Sequence, residues 1–219
     1  MSRVTCFLSS NWMARSAATV LTFAVVSTLT TAGPGGALAA REAPPLATAP
    51  FQVSDASVSV SCPFTIGGSF EARASELAGE VALEAGSPGA VAGALAMDLR
   101  TLQTGIGLRD AHMRDKYLEV GRGTSFAVST LDHIRLTGVD PVRLAGKGGF
   151  EGMLRLHGRE RPVVGVADIQ RTGEGFRVQA TFPVTLSEFE IEHPTYLGVG
   201  VGEVVTVTAR FRLATERRR

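Results

Sequence analysis

The residues best suited to do chemistry fall in one short run: Arg109-Asp110, then His112, then Arg114-Asp115. Arg109 could polarise a substrate while Asp110 or His112 moves a proton, a general acid–base arrangement. A solvated or hydrogen-bonded role is the plainer reading of His112, and a salt bridge or helix cap that of Arg109 and Asp110. Elsewhere the inventory is thin. His112, His133, His157 and His193 include no His-x-x-x-His pair, and no cysteine cluster accompanies them. No metal and no other cofactor is therefore expected. No Gly-x-Ser-x-Gly elbow occurs. Gly105-Ile106-Gly107 with Asp110 lies in no βαβ unit, so it is not a dinucleotide loop. Cys62, between Ser61 and Pro63, could act as a nucleophile, although a small half-buried side chain is the simpler assignment.

The element that must position these groups is the run from Thr101 to Val120, the only long stretch that reads as helix. Thr104 and Gly107 can start it. Asp110 precedes Arg114 by one helical turn, the favourable acid-then-base order. Leu108, Ala111 and Leu118 can share an apolar stripe, with Met113 and Tyr117 beside it.

Around this hub the chain reads as short strands and turns. Phe51, Val53, Val58 and Val60 open the pattern, broken at Cys62-Pro63, and Gly67-Gly68 turns the chain. Ser69–Ala74 and Leu77–Glu84 follow. Gly86-Ser87-Pro88-Gly89 is a turn signal. Val91, Leu95, Met97 and Leu99 share a strand face, opposite Ala92, Ala94 and Ala96. After the helix come Ser125–Leu136, with Phe126 and Val128 on one side, and Phe150–His157, with Phe150, Gly152, Leu154 and Leu156 inward. Gly158–Arg161 reads as a turn, Pro162–Ile169 as a strand, and Thr172–Gly175 as a hairpin connection. Phe176, Val178, Ala180, Phe182, Val184 and Leu186 alternate with polar residues, the clearest period-two run in the chain. Val205, Val207, Ala209, Phe211 and Leu213 repeat the pattern near the end. The expected class is all-β: an antiparallel barrel of about eight strands with one inserted α-helix, wide enough to hold one small ligand. Ala92, Gly93, Ala94, Gly152 and Ala180 are expected to leave space inside it. A two-sheet sandwich with a filled core is the alternative.

Composition narrows the function classes. Net charge is +1 over 219 residues, so no strong field draws the chain to nucleic acid or acidic lipid. Residues 1–40 read as an export signal: Arg3 and Arg15 supply positive charge, Ala17–Leu29 is the apolar core, and Ala37-Leu38-Ala39 is a cleavage motif. Met13 is an alternative start, and a membrane anchor the alternative reading. The apolar run is shorter than the ~20 residues that span a bilayer, so no stable span is expected in a mature form beginning near Arg41. Residues 41–50 read as a linker, 51–214 as the barrel domain, and 215–219 as a basic tail. Cys6 would leave with the signal, and Cys62 would then stand without a disulfide partner.

Three segments resemble the YceI-like polyisoprenoid-binding family. The first is Thr104-Gly105 with Leu108-Arg109-Asp110, His112-Met113-Arg114 and Lys116-Tyr117-Leu118. The second is Phe150-Glu151-Gly152-Met153-Leu154-Arg155-Leu156-His157-Gly158 with Arg161-Pro162-Val163. The third is Phe189-Glu190-Ile191, Pro194 to Val199, and Val204-Val205-Thr206-Val207. The likeness covers about Phe51 to Leu213. It departs from the family pattern in three places. Asp55-Ala56-Ser57 replaces an acidic residue followed by His-Ser, a second family His is missing near Cys62-Pro63, and Leu186-Ser187-Glu188-Phe189-Glu190 replaces Arg-x-Asp-Phe-Gly.

The resemblance implies a lipocalin-like barrel with an amphiphilic isoprenoid along its bore; with the signal-like opening, the expectation is a periplasmic or secreted carrier or sequestering protein that is not an enzyme. Polyisoprenoid or another lipid is the implied partner; a homodimer is left open. On this reading Leu95, Met97, Leu99, Phe126, Phe150, Leu154, Phe176, Val178, Ala180 and Phe182 are the expected ligand-binding residues, with Met113 and Tyr117 near one end of the bore. The alternatives are a lipid-acting enzyme using Arg109, Asp110 and His112, and a stress or interaction module with a filled barrel.

Overall fold

The structure, a computed structural model, describes residues 50–139, 144–173, 175–196 and 199–215. The residues read as an export signal, those read as a linker apart from Pro50, and those read as a basic tail apart from Thr215 lie outside the described residues. The elements in chain order are β1 (Phe51–Pro63), β2 (Ser69–Ala74), β3 (Leu77–Leu83), β4 (Ala90–Asp98), α1 (Gly107–His112), α2 (Thr124–Ala127), β5 (Val128–Thr137), β6 (Gly146–Leu156), β7 (Arg159–Thr172), β8 (Gly175–Thr185), β9 (Thr195–Tyr196), β10 (Val199–Gly200) and β11 (Val204–Thr215).

Hydrogen-bonded neighbours run β11-β8-β7-β6-β5-β4-β3-β1, and β11 pairs with β1 to close the ring. The result is the expected closed antiparallel barrel of eight strands. Closure removes the edges that would otherwise present unpaired backbone groups. β2 is extra: β1 pairs with β3 at Phe51-Gln52 and with β2 from Val58 to Pro63, so β2 and β3 share one seat beside it. The register slips between Ser54 and Ser57, where Asp55 takes φ 48°. This bulge falls on the segment that departs from the family's opening.

Strict alternation turns one row of each strand inward. On β8 that row is Phe176, Val178, Ala180, Phe182 and Val184; on β11 it is Val205, Val207, Ala209, Phe211 and Leu213. The two strands pair without a break from Val204–Thr185 to Ala214–Gly175, so the rows stand side by side. Burying each large side chain contributes about 1.5–3 kcal/mol.

Three readings are corrected. The segment from Ser125 is not a continuous strand: Thr124–Ala127 is a helical turn before β5. His157 is not the last strand residue, nor Gly158–Arg161 the turn; His157 and Gly158, at φ 52° and 71°, form a two-residue hairpin between β6 and β7. Two left-handed residues in succession give the turn whose twist suits a hairpin. The hub, finally, is not one long helix. α1 covers only Gly107–His112, and Met113–Tyr117 is a π-helical turn in which the Leu118 N–H donates to the Met113 carbonyl. The extra residue in that turn shifts the inward stripe. Leu118 is buried while Leu108 is 70% exposed.

Candidate functional site

Aromatic rings meet at one end of the barrel interior, and a cavity lies toward the other. Phe51 and Phe176 meet edge-to-face at 5.4 Å, and Phe150 and Phe182 at 5.7 Å. These rings, with Val178, Ile134 and Ile169, belong to the core. Above them lies a cavity of about 150 Å³. Its walls come from inward rows: Val58 and Val60 of β1, Leu95 and Met97 of β4, Leu131 of β5, Leu154 and Leu156 of β6, Ala180 and Val184 of β8, and Val205, Val207 and Ala209 of β11. Leu99 and Leu102 from the turn after β4, Leu118 after the π turn, and Leu186 and Ile191 after β8 close the far end. Phe182 and Phe211 also line it.

The lining has one polar side chain, Ser129, and its hydroxyl donates to the Arg155 carbonyl at 3.0 Å. An apolar guest would therefore meet no unpaired polar atom on the wall, and none of the usual cost of burying one.

Of the residues expected to bind ligand, Leu95, Met97, Leu99, Leu154, Ala180 and Phe182 line this cavity. Phe150, Phe176 and Val178 are buried in the same core but do not line the cavity. Met113 and Tyr117 are half-buried against the core and do not line the cavity; the Lys116 ammonium lies 5.2 Å from the Tyr117 ring centre. Phe126 is outside the bore, edge-on to His157 at 4.8 Å with the Arg122 guanidinium over its ring. Leu118, Ile191 and Val205, Val207, Ala209 and Phe211 of β11 line the cavity beyond the expected set, and the β11 alternation carries the signal for its row.

The small residues behave differently from expectation. Ala92 and Gly93 are exposed. Ala94 is half-buried and absent from the cavity lining. Gly152 faces inward, but a Cβ there would sit 3.0 Å from Leu131 and 3.1 Å from the Asp132 carbonyl, so it is packed. Ala180 is the one member of the set that opens onto the cavity.

The chemistry-bearing run on α1 is committed to structure. The Thr104 N–H donates to Asp110 Oδ1 at 2.7 Å, and the Thr104 hydroxyl donates to the same oxygen. These bonds, aided by the charges of Arg114 and Arg109, hold the Asp110 carboxyl below its ordinary range. Arg109 donates to the Thr104 hydroxyl oxygen at 2.8 Å and stacks over Phe70 at 4.3 Å. His112 is exposed. Burial pushes the Cys62 thiol up to about 11 against the opposing charge of Arg109, which suits a packing residue and not a nucleophile. No group of His, Cys, Asp and Glu suited to a metal occurs among the described residues.

One polar tie braces the closed end. His157 is buried, with Nδ1 2.9 Å from the Phe189 carbonyl and Nε2 3.1 Å from Glu119 Oε2. It joins the β6–β7 hairpin to the segments that carry Leu118 and Ile191. Glu119 itself sits at φ 49°, ending the π turn, and also pairs with Arg122 at 2.8 Å.

Comparison with known proteins agrees with this architecture. The sequence matches the YceI-like domain over residues 49–213. A polyisoprenoid-binding domain from Saccharophagus degradans, implicated in plant cell wall breakdown, superposes with a TM-score of 0.57 at 17% identity, covering 77% of this chain and 99% of that one. BcnA from Burkholderia cenocepacia also superposes at 0.57, with 13% identity, covering 72% of this chain and 96% of that one. At these identities the likeness is one of fold. Among the curated proteins the sequence matches none.

Proposed function

The chain belongs to the YceI-like domain family, and on that premise we propose that its bore binds the apolar part of an isoprenoid or similar amphiphilic lipid. It carries or sequesters that lipid without changing it chemically, in the periplasm or outside the cell. The observation that carries the reading is the cavity in the barrel interior, whose lining side chains are apolar except for an already bonded Ser129. Moving apolar surface from water into such a space gains about 25 cal/mol per Å². The polyisoprenoid-binding description of the Saccharophagus degradans domain supports the ligand class. The signal-like opening of the sequence, Ala17–Leu29 followed by Ala37-Leu38-Ala39, supports the location. Against an enzyme stands the placement of Arg109 and Asp110, which bond Thr104, and of His112, which faces solvent.

The test is a native mass spectrum of the protein purified from its own host. A bound species released by organic solvent, with the mass of a prenyl or acyl lipid, is the expected result. A lipid-free spectrum, together with a folded protein that binds no isoprenoid analogue, would overturn the reading.

A further inference from the structure

Charge is not spread evenly over the outer wall of the barrel. The register of β6, β7, β8 and β11 sets two outward rows side by side next to the β7–β8 hairpin. One row runs Lys147, Asp168, Gln179 and Arg210; the other runs Gln170, Arg177 and Arg212. Arg177, Arg210 and Arg212 are exposed, as is Arg171 at the end of β7. No apolar side chain interrupts either row.

Within these rows Arg177 stands directly opposite Arg212. Like charges placed this way weaken a sheet unless something negative lies between them. Arg210 donates to the Gln179 amide oxygen at 3.0 Å, a neutral partner. Two carboxylates are at hand: Asp55 lies 3.3 Å from Arg212, and Asp168 lies 3.9 Å from Lys147. Among the described residues the four arginines and Lys147 meet only these two acids, an excess of three positive charges. By sequence, Glu174 in the connecting turn removes one, and Glu216-Arg217-Arg218-Arg219 after β11 adds two. The whole chain has a net charge of +1, so the rest of the molecule is negative on balance. The total hides this segregation.

We propose that this outer face, around Arg177, Arg210 and Arg212, docks on the surface of an anionic lipid bilayer. Guanidinium groups suit phosphate oxygens. The cations stand ~5 Å apart across strands and ~7 Å apart along β11, on a convex wall without a pocket. Such an array meets several head groups at once. Clusters of about four to eight basic residues are the pattern drawn to anionic lipid. With no apolar anchor in the rows, the docking is reversible and sensitive to salt, as the Debye length shrinks from ~10 Å at 0.1 M to ~3 Å at 1 M. The face lies outside the barrel, so its binding is independent of a lipid in the bore.

The experiment is co-sedimentation of the protein with vesicles rich in phosphatidylglycerol and with vesicles of phosphatidylcholine alone. Binding is expected to the first and not to the second, and salt should release it. Arg177→Gln with Arg210→Gln should weaken it about fivefold per arginine removed. Arg135→Gln with Arg161→Gln removes the same charge from β5 and the start of β7 and should leave binding nearly unchanged. All four positions are exposed, and circular dichroism checks that each variant is folded. Equal losses in the two double variants would overturn the docking face, as would an unmoved partition in the Arg177 and Arg210 variant. No binding to the anionic vesicles, or binding that ignores salt, would also overturn it. Retention on heparin without binding to vesicles would assign the face to a soluble polyanion, and the bilayer proposal would fail.

Discussion

The Asp110 carboxylate reaches back from inside α1 to accept both the backbone N–H and the hydroxyl of Thr104, closing the loop that precedes the helix. The charged form is favoured in the folded chain, so the Asp110 pKa lies below its unfolded value. A depressed pKa contributes stability that is fully present above the unfolded value, about 3.9, and is lost as pH falls through the folded one. Asp110→Asn should therefore make stability less dependent on pH below about 4 and change that slope little near neutrality. Urea unfolding at a series of acidic pH values measures it. An unchanged acid limb would show that the Thr104 bond does not hold the charge.

Leu118 and Leu108 lie in the same sequence motif but differ in burial, at 9% and 70% exposed. Leu118→Ala should destabilise the fold by about 2–5 kcal/mol, the range for a buried leucine. Leu108→Ala should stay within about 0.5 kcal/mol. Equal losses in chemical denaturation would contradict the π turn that separates their environments.

His157 ties three segments with two hydrogen bonds. His157→Ala removes both and leaves the Phe189 carbonyl without its side-chain partner, at a cost of about 1–3 kcal/mol. Thermal unfolding against wild type checks this. A loss within surface noise would mean that the tie does not brace the closed end.

The barrel was legible because its signal is local. Alternation on β8 and β11 fixes which residues face inward, and the paired register then brings Ala180 opposite Ala209. The extent of the cavity was not legible. Alternation assigns Phe150 and Phe182 to the interior but cannot say that their rings meet there. The helix stripe failed for a related reason: a regular 3.6-residue period puts Leu108 and Leu118 on one face, and the extra residue of the π turn breaks that period. Phe126 was misplaced because Thr124–Ala127 coils just before β5, where its composition still suits a strand.

Cys62 is buried with its thiol pushed up to about 11. A thiol reagent at mildly alkaline pH should label it far more slowly in the folded protein than in urea. Equal rates in the two states would show that β1 opens around it.

Lipid binding in the bore is tested most directly at Ala180, whose side chain faces the cavity beside outward-facing Gln179. Titration of a fluorescent isoprenoid analogue into wild type, Ala180→Trp and Gln179→Ala, each shown to be folded by circular dichroism, gives the comparison. Wild type and Gln179→Ala should bind alike, and Ala180→Trp should lose binding because the indole occupies the cavity. Binding by the folded tryptophan variant as tight as by wild type would contradict the placement of the ligand in the bore.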